Sequence, residues 1–99
     1  ELANVAIAFP SDGARVRGVL LVQGIASHRD FREWRLDLLA EGEEPRFLAL
    51  GETALNRSGP LVSWDTRRHP NGPYTLRLRV LLDSGDFVEA ESAVVVDNP

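Results

Sequence analysis

The stretch HPNGPYTLRLRVLL, residues 69–82, contains the longest clean alternation of apolar and other residues in the chain. Every second residue from 74 to 82 belongs to one apolar face, formed by Tyr74, Leu76, Leu78, Val80 and Leu82. A period of two is typical of a β-strand with one buried face. Proline and glycine at 70–73 exclude a helix before it and favour a chain reversal. The sequence therefore predicts a central strand over 74–82.

The composition restricts the chain to a few classes of protein. Its 99 residues fit one domain, residues 1–99, and the 43% that are hydrophobic are enough for one core. The absence of Cys excludes disulfides and thiolate zinc sites. The net charge of −4 argues against nucleic acid as a partner. No apolar run approaches the ~20 residues of a membrane-spanning helix, so we expect no membrane insertion. Because Met is also absent, we expect a fragment of a larger multidomain chain.

Short alternating segments separated by turn residues occupy most of the remaining chain. We predict seven strands. The first three, A, B and C, occupy 4–9, 16–26 and 31–38, and a short strand without a letter occupies 46–50. The last three, E, F and G, occupy 61–65, 74–82 and 87–96. Residues 53–58 are predicted to form a turn or an edge piece, and 97–99 the start of a linker. No long amphipathic helix is indicated, so we predict an all-β sandwich of about seven antiparallel strands.

Two of these segments have ambiguous patterns. Residues 31–38 fit a helical face through Trp34 and Leu38, but both residues also belong to a strict alternation, which favours a strand. Gly18 and Gly24 weaken strand B, so we expect a bulge or the close approach of another backbone there.

The apolar faces of these strands define a predicted core, which includes Leu20, Val22, Trp34, Trp64, Tyr74 and Leu76. Trp64 has an alternative role as an exposed aromatic residue of a carbohydrate-binding platform. Such platforms gather several aromatic residues, whereas this chain has two Trp and one Tyr. Tryptophan is also mostly buried in folded proteins, so we place Trp64 in the core.

Tyr74 follows a turn and stands two residues before Leu76, which resembles the tyrosine corner of immunoglobulin-like sandwiches, with Leu76 in place of the usual cysteine. Trp34 stands where such domains often place a strand-C tryptophan. The larger pattern resembles the bacterial immunoglobulin-like, or fibronectin-type-III-like, modules of secreted and cell-surface proteins. It consists of PSDG at 10–13, a glycine-bracketed segment at 18–26, GPLVSWDT at 59–66 and NGPYTLRL at 71–78.

This resemblance covers nearly the whole chain and implies a single immunoglobulin-like/fibronectin-III-like sandwich. It also implies a non-catalytic spacer or docking module of a bacterial protein that is secreted or attached to the cell surface. The alternatives are an accessory domain that binds polysaccharide or cell-wall glycan beside an enzyme, and a subunit of an extracellular filament. We expect neighbouring domains of the same chain as partners, with another protein or a glycan as further candidates. The isolated piece is expected to be monomeric.

Candidate catalytic and metal-binding residues are few. The pairs with suitable chemistry are His28 with Asp30 and His69 with Asp65, and no nucleophile motif surrounds them. The turns at Asp12 and at 83–86 offer too few oxygens for calcium, which takes six to eight. We therefore predict no catalytic residue, no cofactor and no metal, and we expect that the protein is not an enzyme.

The polar face of strand F suggests a place for binding. Arg77 and Arg79 point outward there, flanked by Glu33, Arg35 and Asp37 of strand C. Arginine is enriched at interface hot spots, so Arg35, Arg77 and Arg79 form a candidate docking face. The alternative, which we favour, is a solvent-exposed sheet face whose cross-strand ion pairs contribute ~0–1 kcal/mol each.

Overall fold

The computed structural model describes residues 4–99, which form eight β-strands and one short 3-10 helix. The strands are β1 (Asn4–Phe9), β2 (Ala14–Val16), β3 (Val19–Ser27), β4 (Phe31–Leu39), β5 (Arg46–Gly51), β6 (Leu55–Asp65), β7 (Gly72–Leu82) and β8 (Phe87–Val96). The 3-10 helix, Thr66–Arg68, connects β6 to β7. The predicted all-β class is confirmed. Within 4–99, no helix has the length and apolar character needed to span a membrane.

The strands form two sheets that enclose one core. The smaller sheet has the antiparallel order β1-β3-β6. The larger sheet has the order β2-β8-β7-β4-β5, in which β2 and β8 run parallel and all other neighbours run antiparallel. The predicted strands B and E therefore face C, F and G, as in an immunoglobulin-like sandwich. The predicted all-β sandwich of two packed sheets is confirmed.

Strand β7 lies near the middle of the larger sheet, and its inward face forms the centre of the core. Leu76, Leu78 and Val80 are completely buried there. The two tryptophans reach the same core from opposite sheets. Of the residues that the sequence placed in the core, four are buried (Val22, Trp34, Trp64 and Leu76), whereas Leu20 and Tyr74 are half-buried and pack against it.

The predicted strand B over 16–26 is wrong at its start. Gly18 has a φ of +65°, a left-handed conformation that glycine adopts readily, and it separates β2 from β3. β2 pairs with β8 in the larger sheet, whereas β3 belongs to the smaller one. The alternation in the sequence continues through Gly18, so the pattern does not show that the chain changes sheet there. Residues 4–99 consequently form eight strands instead of about seven, and one of the strand pairs is parallel.

Gly24 lies where two strands approach closely, one of the alternatives that the sequence predicted. A Cβ atom at Gly24 would lie 2.6 Å from the carbonyl oxygen of Ala6 in β1. The register between β3 and β6 also shifts on either side of this glycine. Strand E is longer than predicted because β6 begins at Leu55, so residues 55–58 form an edge piece and not a turn.

Tyr74 forms a tyrosine corner. Its hydroxyl donates a hydrogen bond of 2.6 Å to the carbonyl oxygen of Pro70. Its ring lies 5.9 Å from the His69 ring, which in turn lies 6.1 Å from Trp64, measured between centroids. This row of rings attaches the connection between β6 and β7 to the core.

The two residues after β8 are bonded to the sandwich, so the predicted start of a linker is wrong for them. Asn98 Oδ1 accepts a hydrogen bond from the backbone N–H of Gly18 at 2.8 Å. The Asn98 backbone N–H donates to Asn71 Oδ1 at 2.9 Å, and Asn71 Nδ2 donates to the Asn98 carbonyl oxygen at 2.8 Å. The Asp97 N–H donates to the Val16 carbonyl oxygen at 2.9 Å. These bonds fix the direction in which the backbone leaves β8.

The tyrosine corner and the core below it should contribute unequally to stability. Tyr74→Phe keeps the ring and removes one hydrogen bond, so we expect a loss of about 1–2 kcal/mol in the free energy of unfolding. Leu76→Ala creates a cavity in the core and should cost about 2–5 kcal/mol. Urea unfolding measures both losses. Negligible losses at both positions would contradict the central place of β7 in the fold.

Candidate functional site

The side chains that alternate with core residues on β4, β7 and β8 cover the solvent side of the larger sheet. Strand pairing arranges them in rows, because Asp37 lies opposite Arg77, and Arg35 lies opposite Arg79. We define the outer face by these residues: Glu33, Arg35, Asp37, Arg77, Arg79, Leu81, Phe87, Glu89 and Glu91. All three arginines of the predicted docking face therefore lie together on one surface.

Asp37 is the most buried member of the outer face, with 2% of its surface exposed. One of its carboxylate oxygens lies 3.0 Å from Nε of Arg35, and the other lies 3.3 Å from Nη2 of Arg77 across the strand pair. Removal of a carboxylate from water costs several kcal/mol unless such partners replace the lost hydration. Arg35 and Arg77 supply that replacement and shield Asp37 from solvent.

Arg35 and Arg79 lie directly opposite each other, which places two like charges side by side. Other groups balance each of them. Arg79 Nε donates to Glu89 Oε1 at 3.2 Å, and its guanidinium carbon lies 4.2 Å from the centre of the Phe87 ring. The Arg35 guanidinium carbon lies 5.0 Å from the centre of the Phe47 ring in β5. Cation–π contacts at such distances contribute ~0.5–1 kcal/mol at exposed sites.

A shallow groove of about 180 Å³ occupies one part of the outer face. Leu81 and Phe87 supply its apolar surface, and Glu33, Arg35 and Arg79 supply its charged rim. Arg35 uses only its Nε on Asp37, so its other N–H groups are available for a bound molecule. Glu33 forms no ion pair with any residue in the described range 4–99. An apolar surface between donors and an acceptor can bind a protein side chain or a sugar ring.

A wider cleft of about 430 Å³ opens between the edge strands β5 and β6, and Phe47, Trp64, Arg68 and His69 contribute to its lining. The Trp64 indole N–H is buried and finds no hydrogen-bond partner in the part of the chain that the structure describes. Burial lowers the pKa of His69, and the nearby charges of Arg46 and Arg68 lower it further. His69 is therefore a neutral imidazole near pH 7.

The two predicted His–Asp pairs do not form catalytic arrangements. His28 Nδ1 accepts a hydrogen bond from the backbone N–H of Asp30 at 2.9 Å. The Asp65 carboxylate accepts from Arg67 Nε at 2.9 Å, and this bond lowers the pKa of Asp65. His28 directly follows β3. His69 lies in a turn in which the backbone N–H of Thr66 donates to the carbonyl oxygen of Gly18, the residue directly before β3. The two pairs therefore lie at opposite ends of the sandwich.

Two of the turn carboxylates that were candidates for calcium, those of Asp12 and Asp86, make hydrogen bonds within the fold. Asp12 Oδ1 accepts from the backbone N–H of Ala93 at 2.7 Å. The Asp86 carboxylate lies 3.4 Å from the Ser84 hydroxyl in the turn between β7 and β8. Among residues 4–99, no three His, Cys, Asp or Glu side chains lie close enough together to hold a metal ion.

The alternation in the sequence predicted the arginines of the outer face but did not indicate the two phenylalanines beside them, Phe47 and Phe87. Phe87 could have been found, because it alternates with Glu89 and Glu91 on strand G. Phe47 could not, because a register shift between β4 and β5 decides which residue of β5 approaches Arg35.

No protein-family model matches the chain, and no curated protein sequence matches it. Several solved structures share the fold. The whole chain superposes on 20% of an endo-β-1,4-mannanase from Thermotoga petrophila, with a TM-score of 0.75 and 16% identity. For CopC from Methylosinus trichosporium OB3b, the match covers 98% of this chain and 95% of the other, with a TM-score of 0.60 and 19% identity. For a superoxide reductase (neelaredoxin) from Ignicoccus hospitalis, it covers 95% and 80%, with a TM-score of 0.65 and 15% identity.

At these levels of identity the similarity shows the fold alone. The chain spans only one fifth of the mannanase, so the similar part is a single domain within a longer protein.

The buried carboxylate of Asp37 should contribute more to the free energy of unfolding than the more exposed ion pair between Arg79 and Glu89. Asp37→Ala leaves Arg77, whose side chain is 15% exposed, without this partner, and should cost about 3–5 kcal/mol. The control Glu89→Ala removes the partner of Arg79, which is 35% exposed, and should cost about 0–1 kcal/mol. Urea unfolding compares the two. If Asp37→Ala costs no more than the control, Asp37 does not stabilise the sheet through its ion pairs.

Proposed function

We propose that this domain is a non-catalytic module that spaces and docks neighbouring domains of a secreted or surface-attached bacterial protein. The observation that carries the proposal is that β1 begins, and the backbone after β8 leaves, at opposite ends of the sandwich. Asn4 pairs with Ser27 at one end of β3, whereas Asn98 is bonded to Gly18, just before the other end of the same strand. The nine residues of β3 separate them by about 30 Å at ~3.3 Å per residue.

A spacer also needs stiff junctions, and the backbone after β8 meets this requirement. Asn98 is bonded to Gly18 and Asn71, which precede two different strands, so it cannot swing freely. Proline at position 99 further restricts the conformation of the residue before it. A domain that follows would therefore adopt a narrow range of angles relative to this one.

The outer face supports the docking part of the proposal. Arg35 and Arg77 are held by the buried Asp37, and Arg79 is held by Glu89 and Phe87. Side chains that are already ordered lose less conformational entropy when a partner binds. A neighbouring domain, or another protein, with carboxylates opposite Arg35 and an apolar side chain for the groove would suit this surface.

The bacterial, fibronectin-III-like character of the module belongs to the same proposal. It is supported by the PSDG, GPLVSWDT and NGPYTLRL motifs. The similarity to one fifth of a mannanase chain is consistent with a domain that accompanies others.

An accessory domain that binds glycan is the second candidate, and the groove on the outer face favours it. Phe87 is 48% exposed and can stack on a sugar ring, while Glu33 and Arg35 can bond to hydroxyl groups. However, the two phenylalanines lie on strands at opposite sides of β4 and β7, so they do not form a continuous aromatic row. Retention of the protein by a polysaccharide gel, abolished by Phe87→Ala, would favour this candidate over the spacer.

The spacer geometry can be measured with spin labels, because the chain has no Cys of its own. Labels at Asn4→Cys and Pro99→Cys should lie about 30 Å apart, from the length of β3. The control pair Asn4→Cys and Ser27→Cys joins two residues that are directly opposite each other and should give a much shorter distance. Double electron–electron resonance reports both. Similar short distances for the two pairs would contradict the spacer geometry. A stable dimer of the isolated domain in a sedimentation experiment would favour the filament alternative.

A further inference from the structure

The cleft between β5 and β6 lies where one side of the sandwich is open. Residues 52–54 join the two strands at one end. The cleft lies toward the other end, where β5 begins at Arg46 and β6 ends at Asp65. The 3-10 helix, Thr66–Arg68, and His69 follow β6 and border it. Its volume of about 430 Å³ falls within the range of small-molecule sites, about 300–1,000 Å³.

Three apolar side chains from the two strands line the cleft. Leu48 and Val62 are half-buried and pack against the core, whereas Phe47 is 55% exposed. The rings of Trp64 and His69 belong to the same lining. Aromatic rings pack well against each other edge to face or with offset stacking. The cleft therefore offers a surface that suits an aromatic ring.

Trp64 brings a hydrogen-bond donor that the fold does not use. Its side chain is almost completely buried, with 3% of the residue exposed, and its indole N–H has no acceptor within residues 4–99. A buried donor without an acceptor lowers stability, and native folds contain few of them. His69 adds one donor and one acceptor as a neutral imidazole. An acceptor oxygen on a molecule in the cleft would satisfy the orphaned donor.

Arg68 gives the cleft a positive charge. The carboxylates of Asp65 and Glu43, whose charges also reach this region, already have arginine partners. Asp65 pairs with Arg67 at 2.9 Å, and Glu43 pairs with Arg46 at 3.6 Å. Arg68 forms no ion pair in the part of the chain that the structure describes. A guanidinium group matches the geometry of a carboxylate, which it binds through two parallel hydrogen bonds.

From these observations we propose that the cleft between β5 and β6 binds a small aromatic carboxylic acid. The carboxylate pairs with Arg68, and the ring packs against Phe47 and Val62. A phosphate group suits the cleft less well, because a dianion needs a second cation and Arg68 is the one arginine in the described lining. The site is separate from the groove of the outer face, so it adds a function to the spacer and docking role.

Nuclear magnetic resonance on the whole chain, with 3-phenylpropanoate as the probe, tests the proposal. Each tryptophan indole N–H gives its own signal, and the chain has two. Trp64 lines the cleft, whereas Trp34 packs against Gly51 at the other end of β5 and serves as the internal control. We expect a saturable shift of the Trp64 signal and little change at Trp34. The absence of a saturable shift at Trp64 would overturn the proposal.

A neutral analogue tests the role of the carboxylate on the unchanged chain. 3-Phenylpropanamide keeps the ring and nearly the same size but has no charge. Because hydrogen bonds to charged groups are the stronger ones, we expect the amide to bind about tenfold more weakly. Equal binding of the acid and the amide would overturn the proposal and would favour an apolar side chain of a partner protein as the occupant of the cleft.

A pair of variants tests the role of Arg68. Arg68→Gln should weaken the binding of 3-phenylpropanoate about tenfold, since the charged partner of the carboxylate is lost. Arg57→Gln is the control, because Arg57 is an exposed arginine of β6 outside the cleft lining and its loss changes the net charge equally. The same spectra show whether each variant is folded. Equal losses of affinity in the two variants would overturn the proposal. The distance between positions 4 and 99 tests the spacer separately, so a failed site and a failed spacer give different results.

Discussion

The burial of one face of β7 is the constraint on which the rest of this structure depends. Leu76, Leu78 and Val80 have no exposed surface, and each fully buried side chain of this kind stabilises the fold by about 1.5–3 kcal/mol. β7 lies between β4 and β8, so both neighbours take their register from it. A slip of one residue would move the apolar side chains of β7 to the solvent, and the arginines between them into the core.

The same constraint builds the outer face. Because side chains alternate along a strand, fixing Leu76 and Leu78 inward places Arg77 and Arg79 outward. The register then sets Arg77 opposite Asp37. The proposed docking surface therefore needs no separate scaffold. Its cross-strand ion pairs and cation–π contacts form on the back of the strands whose fronts make the core.

Alternation was sufficient to predict the all-β class and the strands β1, β4, β7 and β8 nearly to the residue. It failed where long-range bonds decide the structure. Gly18 interrupts strand B because the chain crosses from one sheet to the other at this residue. A sequence pattern of period two does not reveal such a crossing. Asp37 reads as exposed, yet Arg35 and Arg77 enclose it once the strands pair. The sequence places Asn98 in a linker, yet its side chain accepts a hydrogen bond from Gly18, which lies far away in the sequence.

We infer that β7 is the element whose loss unfolds the whole sandwich. Native-state hydrogen exchange, followed residue by residue by nuclear magnetic resonance, tests it most directly. The amides of β7 that bond to β4 and β8 should exchange slowest, at a rate set by global unfolding. Amides of the edge strand β5 should exchange faster, through local opening. Exchange in β7 as fast as in β5 would contradict the claim.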